Sequence, residues 1–425
     1  MSNTLRRSLG ANYVWVVVAI TFVSLLASAG LRAAPGVIMT PLERTMGWDR
    51  ATLSAAAALG IFLYGMVGPF AAALMQTLGI RRTLLGGLAL MAAATFLSLL
   101  MTQPWHYVLS WGVLSGLGSG AVAPVLGATI ANRWFVTRRG LVMGLLSASA
   151  ATGSLVFVPV MAALSQAGGW RWVAIAVGSV ALALIPLVAW LLPEKPSDLA
   201  LWPHGATAAP AAVPHGRARD SVMLALSTLA RAARTPAFWL LFGTFFVCGL
   251  TTNGLIGVHL ISYCGDMGLL PVQAAGLLAM MGVFDLVGTT ASGWLTDRYD
   301  PRKLLFVYYG LRGLSLMALP YSGFDFLSLS IFAIFFGLDW IATVPPTLRL
   351  ATDAFGERDA PLIFGWVLAG HQIGAATAAY GAGLIRSTSG SYLGAFLIAG
   401  AIGLLAAFAS LAIRRVPVAR SAAFA

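Results

Sequence analysis

Charged residues are scarce in this sequence. Asp, Glu, Lys and Arg together make up 9% of the 425 residues, whereas hydrophobic residues make up 59%. A soluble domain has about 25% charged residues, so this chain has too little charge to cover a surface that faces water. The composition therefore indicates an integral membrane protein.

The sequence also has few residues that could build a disulfide, a metal site or a nucleotide site. Its two cysteines, Cys248 and Cys264, lie around the seventh apolar run and are interpreted as small core residues. His204 and His215 have no partners at metal-ligand spacing. The glycines of 112–120 follow no strand and precede no Lys-Ser or Lys-Thr pair, so they are not a phosphate loop. We therefore expect no metal, no cofactor and no ATP site.

Long apolar runs recur along the whole chain. Each has about 20 residues or more, the length that a helix needs to cross a bilayer. They predict an all-α membrane protein with twelve transmembrane helices. These lie near 13–40, 51–76, 84–102, 106–131, 140–164, 171–192, 236–262, 272–296, 304–321, 324–349, 361–385 and 392–413.

Acidic residues are fewer than basic ones, 14 against 26, and the net charge of +12 would suit a nucleic-acid partner. The positions of the basic residues argue against that partner, because most lie at the two termini or in every second loop. These include Arg6, Arg7, Arg81, Arg82, Arg133, Arg138, Arg139, Arg298, Arg302, Lys303, Arg414 and Arg415. Four lie on the other side: Arg44, Arg50, Arg171 and Arg386. The positive-inside rule then predicts that both termini are cytoplasmic. We expect a retained first helix and an inner (plasma) membrane location.

The sequence contains an internal repeat. One constant offset along the chain, with apolar runs in step, relates its first half to its second. It pairs Arg81 with Arg302, Arg82 with Lys303, Leu84 with Leu305, Gly36 with Gly257, Val37 with Val258, Met46 with Met267 and Gly47 with Gly268. We predict two pseudo-symmetric six-helix bundles, 1–193 and 235–425. The Pro- and Ala-rich stretch 194–234 is expected to be a cytoplasmic linker.

The loop at 293–303, GWLTDRYDPRK, resembles the loop between the second and third helices of each half in the major facilitator superfamily. The match consists of Gly293, Asp297, Arg298, Arg302 and Lys303, and Asp300 stands where a second Gly is usual. In the first half, Gly79, Arg81 and Arg82 match, whereas Ala72 and Gln76 replace the Gly and the Asp. The resemblance implies the twelve-helix fold of that superfamily and a gating role for Asp297, Arg298, Arg302, Arg81 and Arg82.

The stretch 132–153 resembles the helix-five signature of the monocarboxylate transporter family. An aromatic pair, two basic residues and then small residues carry the match, namely Trp134, Phe135, Arg138, Arg139, Gly144, Ala148 and Gly153. Asp285 also matches that family, in which an Arg follows four residues later; here that position is Thr289. The resemblance extends to oxalate–formate antiporters, which have a Lys where His371 falls.

Several ionisable or polar residues lie inside the predicted helices. Arg32, beside Pro35, is interpreted as a cation that attracts substrate, or else as a paired or snorkelling structural residue. Tyr64 is either a cavity residue or a packed tyrosine. Asn253 aligns with Arg32 under the repeat. We expect Arg32, Asn253 and Tyr64 to bind substrate, together with Thr289.

Three charged residues lie on consecutive helices of the second half. Asp285 and Asp339 flank Arg312, which we expect to pair with one of them and to leave the other free to titrate. His371 is either a second, titratable cation for the substrate or an ordinary core histidine.

These patterns predict a secondary active transporter rather than an enzyme. A small, monocarboxylate-like anion would bind near the midplane between the halves, with Asp285 carrying or gating a proton. Exchange of anions, export of apolar or cationic compounds, and a non-transporting sensor remain alternatives. The expected partners are the carboxylate, protons and the lipid bilayer, and the chain is expected to act as a monomer.

Overall fold

The computed structural model describes residues 10–122, 124–206 and 218–413, and within these ranges the chain is helical with no strand. Arg6, Arg7, His215, Arg414 and Arg415, and the outer ends of 1–193 and 235–425, lie outside the described residues. The twelve long helices are α1 (Tyr13–Met46), α2 (Arg50–Thr77), α3 (Ile80–Ser98), α4 (Pro104–Trp134), α5 (Arg139–Gly168), α6 (Trp170–Leu191), α7 (Pro236–Asp266), α8 (Pro271–Thr296), α9 (Pro301–Ala318), α10 (Phe326–Gly356), α11 (Asp359–Ser389) and α12 (Leu393–Leu411).

Eleven of these helices, within the described residues, are long and apolar enough to cross a membrane. The remaining one, α5, spans 30 residues, also long enough to cross. The predicted all-α membrane fold is therefore confirmed. Helix α1 extends beyond the predicted 13–40 to Met46, and Gly47 caps it with a φ of 69° that suits a residue without a Cβ.

Two helices contain a π-helical segment. In α4 it spans Val108–Leu114, and in α7 it spans Leu250–Ile256. A π-helical turn holds one more residue than an α-helical turn and occurs often at functional sites. The segment in α7 carries Asn253, one of the predicted binding residues.

The first six helices contact the last six along three seams. Helix α1 packs on the second part of α7, α2 on α11, and α5 on α8. Small residues permit these approaches: a Cβ at Gly36 would lie 3.0 Å from the backbone oxygen of Gly257. The space enclosed between the three seams is where the central cavity forms.

The segment between the two sets of helices is structured at both of its described ends. His204 exchanges backbone hydrogen bonds with Trp134 and Val136, at 2.8 and 2.9 Å. A further helix, Ala218–Ala232, precedes α7, and its Arg231 pairs with Asp359 at 3.2 Å. Backbone pairing and an amphipathic helix thus order the two described ends of 194–234, and its role as a cytoplasmic linker stays a prediction.

Candidate functional site

A cavity of about 400 Å³ lies between the first six and the last six helices. Most of its wall is apolar, contributed by α1, α2, α4, α5, α7, α8, α10 and α11. Its main polar lining residues are Arg32, Tyr64, Asn253, Asp285, His371 and Gln372. Five of these were predicted as site residues from the sequence. Thr289, Arg312 and Asp339 are not among the lining residues.

Arg32 presents its charge to the cavity from the middle of α1. Its Nη1 donates to Ser28 Oγ at 3.0 Å, one turn earlier on the same helix. The guanidinium carbon lies 4.4 Å from the centroid of the Tyr64 ring on α2, within cation–π range. None of the ion pairs in the described part of the chain includes Arg32. A neutral hydroxyl and an aromatic ring hold this cation in place without neutralising it.

His371 on α11 and Asn253 on α7 are joined in the part of the cavity wall that the last six helices form. Asn253 Nδ2 and His371 Nε2 are 3.2 Å apart. When the amide donates, the proton of a neutral imidazole lies on Nδ1. The imidazole is buried, and it packs on Phe245 with ring centroids 5.0 Å apart. The pair is thus a polar patch in the wall formed by the last six helices.

Asp285 is the acidic residue of the cavity wall and only 4% of its surface is exposed. One carboxylate oxygen, Oδ1, accepts from Thr289 Oγ1 and from the backbone N–H of Ile341, both at 2.9 Å. Thr289 therefore stands one turn from Asp285 on the same face of α8, as the spacing predicts. Its hydroxyl is engaged with the carboxylate, and a contact between Thr289 and substrate stays a prediction.

Arg312 pairs with Asp339 and not with Asp285. Its Nε donates to Asp339 Oδ2 at 2.6 Å, and both side chains are buried. Arg312 Nη1 also donates to Cys248 Sγ at 3.2 Å, and Cys248 contacts Thr343 Oγ1 at the same distance. The sequence left open which carboxylate would be the partner of Arg312. In the structure the partner is Asp339, and Asp285 lines the cavity.

The loop residues predicted to gate lie where α2 ends and α3 begins, and where α8 ends and α9 begins. Arg302 pairs with Asp300 at 2.7 Å, and Asp300 also accepts from the Arg302 backbone N–H at the start of α9. Arg298 stacks on Trp294, 4.1 Å from the ring centroid. Asp297 is exposed.

In the first half, Glu194 supplies a carboxylate to the corresponding loop. Its Oε1 accepts from the backbone N–H of Arg81 at 3.1 Å, at the start of α3. Arg133 donates to the Glu194 carbonyl at 3.1 Å. Arg82 is exposed. The sequence pattern missed Glu194 because it lies after α6, far from the loop in the chain.

A second charged cluster lies at the other end of the helices and was missed. We call it the Arg50 cluster; its members are Glu43, Arg50, His259, Asp266, Arg386 and Tyr392. Arg50, at the start of α2, pairs with Glu43 and, at 3.0 Å, with Asp266 on α7, while Arg386 on α11 pairs with Asp266 at 2.7 Å. His259 Nε2 donates to the carbonyl of Ala379 at 2.7 Å, and its Nδ1 faces the Tyr392 hydroxyl at 2.9 Å.

Two acidic residues, Glu43 and Asp49, lie on either side of the turn between α1 and α2. Asp49 precedes α2, but its side chain makes no capping hydrogen bond, and Glu43 is committed to Arg50. The only signal in the sequence was that Arg50 and Arg386 are basic residues on the side that has few of them. That asymmetry could have marked them as paired residues.

A family model for the major facilitator superfamily matches residues 20–348 of this chain. The chain belongs to the major facilitator superfamily. The predicted superfamily resemblance is thus confirmed, and membership makes the chain a multi-pass membrane transporter rather than an enzyme.

Among relatives in the superfamily, monocarboxylate transporter 13 of Rattus norvegicus is 28% identical over 390 residues, 91% of this chain and 86% of that protein. The uncharacterized MFS-type transporter YcxA of Bacillus subtilis is 25% identical over 396 residues, 89% of this chain and 90% of that protein. The gallate transporter of Pseudomonas putida is 26% identical over 325 residues, 73% and 71% of the two chains. These relatives support the monocarboxylate-transporter side of the superfamily that 132–153 suggested.

Proposed function

We propose that this protein is a secondary active transporter that moves a small organic anion of the monocarboxylate type across the membrane by alternating access. The observation that carries the proposal is Arg32, a cation in the cavity wall whose contacts are neutral. A fixed positive charge in a site of low dielectric attracts and orients an anion. Relatives named for monocarboxylates and for gallate, which is itself a carboxylate, support the same class of substrate.

The anion lies between Arg32 and the Asn253–His371 pair in this proposal. Tyr64 holds the guanidinium toward the cavity, and the Asn253 amide or a protonated His371 supplies hydrogen bonds from the last six helices. A site shared by both sets of helices suits alternating access, because rocking about it exposes the same residues to each side in turn.

Asp285 is the proposed proton-coupling residue. Arg312 and Asp339 neutralise each other, so Asp285 is the carboxylate that remains to take up a proton next to the substrate. Arg312 and Asp339 act as a structural ion pair in this scheme. A proton on Asp285 removes the negative charge that opposes an anion in the same cavity, which favours symport of the two.

The basic loops give the proposed orientation. By the positive-inside rule, Arg81, Arg82, Arg298, Arg302 and the termini face the cytoplasm of a plasma (inner) membrane. The Arg50 cluster then closes the outer side of the cavity. We propose that the loop residues, with Asp297, close the cytoplasmic side in the opposite state, that 1–193 and 235–425 are the rocking units, and that one chain is functional alone.

Uptake of labelled small carboxylates into proteoliposomes tests this function. It is measured with and without an inward proton gradient, on the wild type, Arg32→Ala and Arg171→Ala. Arg171 is the matched control, because its guanidinium also stacks on an aromatic ring, Trp170, but is exposed and outside the cavity. We expect gradient-stimulated uptake that Arg32→Ala loses and Arg171→Ala retains.

Other outcomes assign other mechanisms. Uptake that requires carboxylate on the inside and ignores the proton gradient indicates an exchanger. Absence of carboxylate flux in a folded protein, with efflux of a cationic compound that Asp285→Asn abolishes, indicates an exporter. The specific observation that favours this second candidate is the place of Asp285 in the cavity wall.

A further inference from the structure

Helix α10 is interrupted near the cavity, and the cause is in the sequence. It is helical over Phe326–Asp339 and becomes helical again from Val344. Pro345 and Pro346 have no N–H, so they cannot donate to the carbonyls of Ile341 and Ala342 as an uninterrupted helix requires. The backbone groups of 339–343 therefore need other partners, because unpaired polar groups inside a membrane are costly.

The Ile341 and Ala342 carbonyls both find replacement donors. The Val344 N–H donates to the Ile341 carbonyl at 2.9 Å, which tightens the chain into a three-residue turn. Ser292 Oγ on α8 donates to the Ala342 carbonyl at 2.5 Å and so stands in for the missing donor of Pro346. The Ser292 side chain is fully buried at this contact.

Arg312 on α9 holds the preceding two carbonyls. Its Nη2 donates to the carbonyl of Asp339 and, at 3.3 Å, to that of Trp340, while Nε holds the Asp339 carboxylate. The ion pair thus fixes both the side chain and the backbone at the point where the first part of α10 ends.

Asp285 accepts a hydrogen bond from a backbone donor of the interruption. Ile341 N–H donates to Asp285 Oδ1 at 2.9 Å, where a regular helix would donate to Gly337. Helix α8 comes close enough for this contact because Gly288, with no Cβ, lies against the backbone carbonyl of Leu338. The cavity carboxylate is therefore bonded directly to the interrupted backbone.

The interruption also forms part of the cavity. Trp340, Ile341 and Val344 are lining residues, as is Asp285. Any change in the bend of 340–343 consequently moves the Trp340 ring relative to the space that Arg32 faces. Interrupted helices at the midplane are common in transporters where the substrate binds and the structure moves.

We propose that Asp285, Ser292 and Arg312 are positioning residues that hold 340–343 in its bent form, and that protonation of Asp285 releases the Ile341 N–H and lets the segment carry Trp340 to a second position. The second part of this proposal rests on the proposed proton coupling. A hydrogen bond to a carboxylate is about twice as strong as one to a neutral acceptor. Loss of the charge therefore weakens the bond at Ile341, whereas those of Ser292 and Arg312 are unaffected.

Several elements around Asp285 carry charged or titratable groups. The charged and titratable groups near it are Arg312 on α9, Asp339 on α10 and Cys248 on α7, together with His371 on α11 and Arg32 on α1, which line the same cavity. Helix α5 presents Met143, Leu146 and Ser149, none of which is acidic or basic. Since Arg312 keeps its partner Asp339, Asp285 is the acid whose charge changes the contact with Ile341.

Hydrogen exchange of peptides that cover 339–343, followed by mass spectrometry on the protein in nanodiscs, tests the proposal. Labelling times at neutral and acidic pH are scaled by the intrinsic exchange rate. We expect roughly five- to tenfold faster exchange of one amide at acidic pH in the wild type. Asp285→Ala should exchange fast at both pH values. Ser292→Ala should raise exchange equally at both and keep the pH difference.

Uptake kinetics supply the second measurement. Ser292→Ala should lower the maximal rate with little change in KM, and Ser292→Thr, which keeps the hydroxyl, should restore the rate. Ser24→Ala is the matched control, since the buried Ser24 hydroxyl donates within its own helix, to Ile20, at 2.8 Å. Equal kinetics for Ser292→Ala and the wild type would contradict the positioning role.

The two proposals fail in different ways. Wild-type exchange that does not depend on pH, in a protein that does show proton-driven carboxylate uptake, overturns the switch and leaves the proposed function. Exchange that depends on pH and on Asp285, in a protein without carboxylate uptake, supports the switch and overturns the anion assignment.

Discussion

Arg50 on α2 and Asp266 on α7 form an ion pair, with Nη1 3.0 Å from Oδ2, that ties the first six helices to the last six at one end of the cavity. Arg50 is 4% exposed, so its charge depends on this partner, on Glu43 and on the Tyr392 hydroxyl 3.3 Å away. Alternating access requires that such ties break in one state and form in the other. This pair is therefore expected to set the balance between the two states.

The first prediction concerns that balance. Asp266→Asn should favour the state open on the side of the Arg50 cluster by about 1 kcal/mol, because Arg50 keeps Glu43 but loses its tie to α7. Labelling of a cysteine introduced at Ala33, a cavity residue, with an impermeant maleimide measures the shift in a background without native cysteines. Asp353→Asn, which breaks a pair within α10, is the control and should not change labelling.

The second prediction concerns the ring beneath Arg32. Tyr64→Leu should raise the KM for the anion about fivefold, since a cation–π contact is worth about 1 kcal/mol and its loss lets the guanidinium turn away. Tyr64→Phe keeps the ring and should stay within twofold of the wild type. Uptake at varied substrate concentration measures both. A KM in Tyr64→Leu equal to that of Tyr64→Phe would mean that the ring does not orient Arg32.

The third prediction concerns the buried ion pair. Asp339→Ala should destabilise the protein by about 3–5 kcal/mol, because it leaves the Arg312 charge buried without its partner. Thermal unfolding in detergent measures the loss. The double variant Arg312→Leu/Asp339→Leu should recover much of the stability, since neither charge remains. A double variant as unstable as the single one would indicate that packing, not charge, holds this region.

The fourth prediction concerns the neutral side chain beside His371. Asn253→Asp should raise the KM for a carboxylate at least tenfold, because it puts a negative charge into the wall that faces Arg32. Asn132→Asp, a change of the same kind at an exposed position near the end of α4, should leave the KM unchanged. An unaltered KM in Asn253→Asp would place the anion away from the Asn253–His371 pair.

Much of the architecture could be predicted from the sequence, because helices in a bilayer must satisfy their own backbone and so appear as long apolar runs. The depth of Arg32, Asp285, Arg312 and His371 follows from the same runs. The contact of Asp285 with Thr289 also follows from their spacing of one turn.

Contacts between distant helices were beyond the sequence. Whether Arg312 pairs with Asp339 or with Asp285 depends on how α9 packs against α8 and α10. The pattern of residues does not determine that packing. The sequence also could not show three other contacts. These are the hydrogen bond of Thr289 to Asp285, that of Glu194 at the start of α3, and the ion pair of Arg50 with Asp266. Each joins residues that lie far apart in the chain or side chains with more than one available partner.

The π-helical segment Leu250–Ile256 sets the direction in which the later side chains of α7 point. One extra residue in a turn rotates everything that follows by about 100° around the helix axis. Asn253 lies within the segment and His259 just beyond it, so the segment sets the phase between the contact with His371 and the contact with Tyr392. Deleting one residue here would still leave a helix of membrane length. It would turn His259 away from Tyr392 and Ala379. Helix α7 could then no longer contact His371 in the cavity and Tyr392 in the Arg50 cluster at the same time.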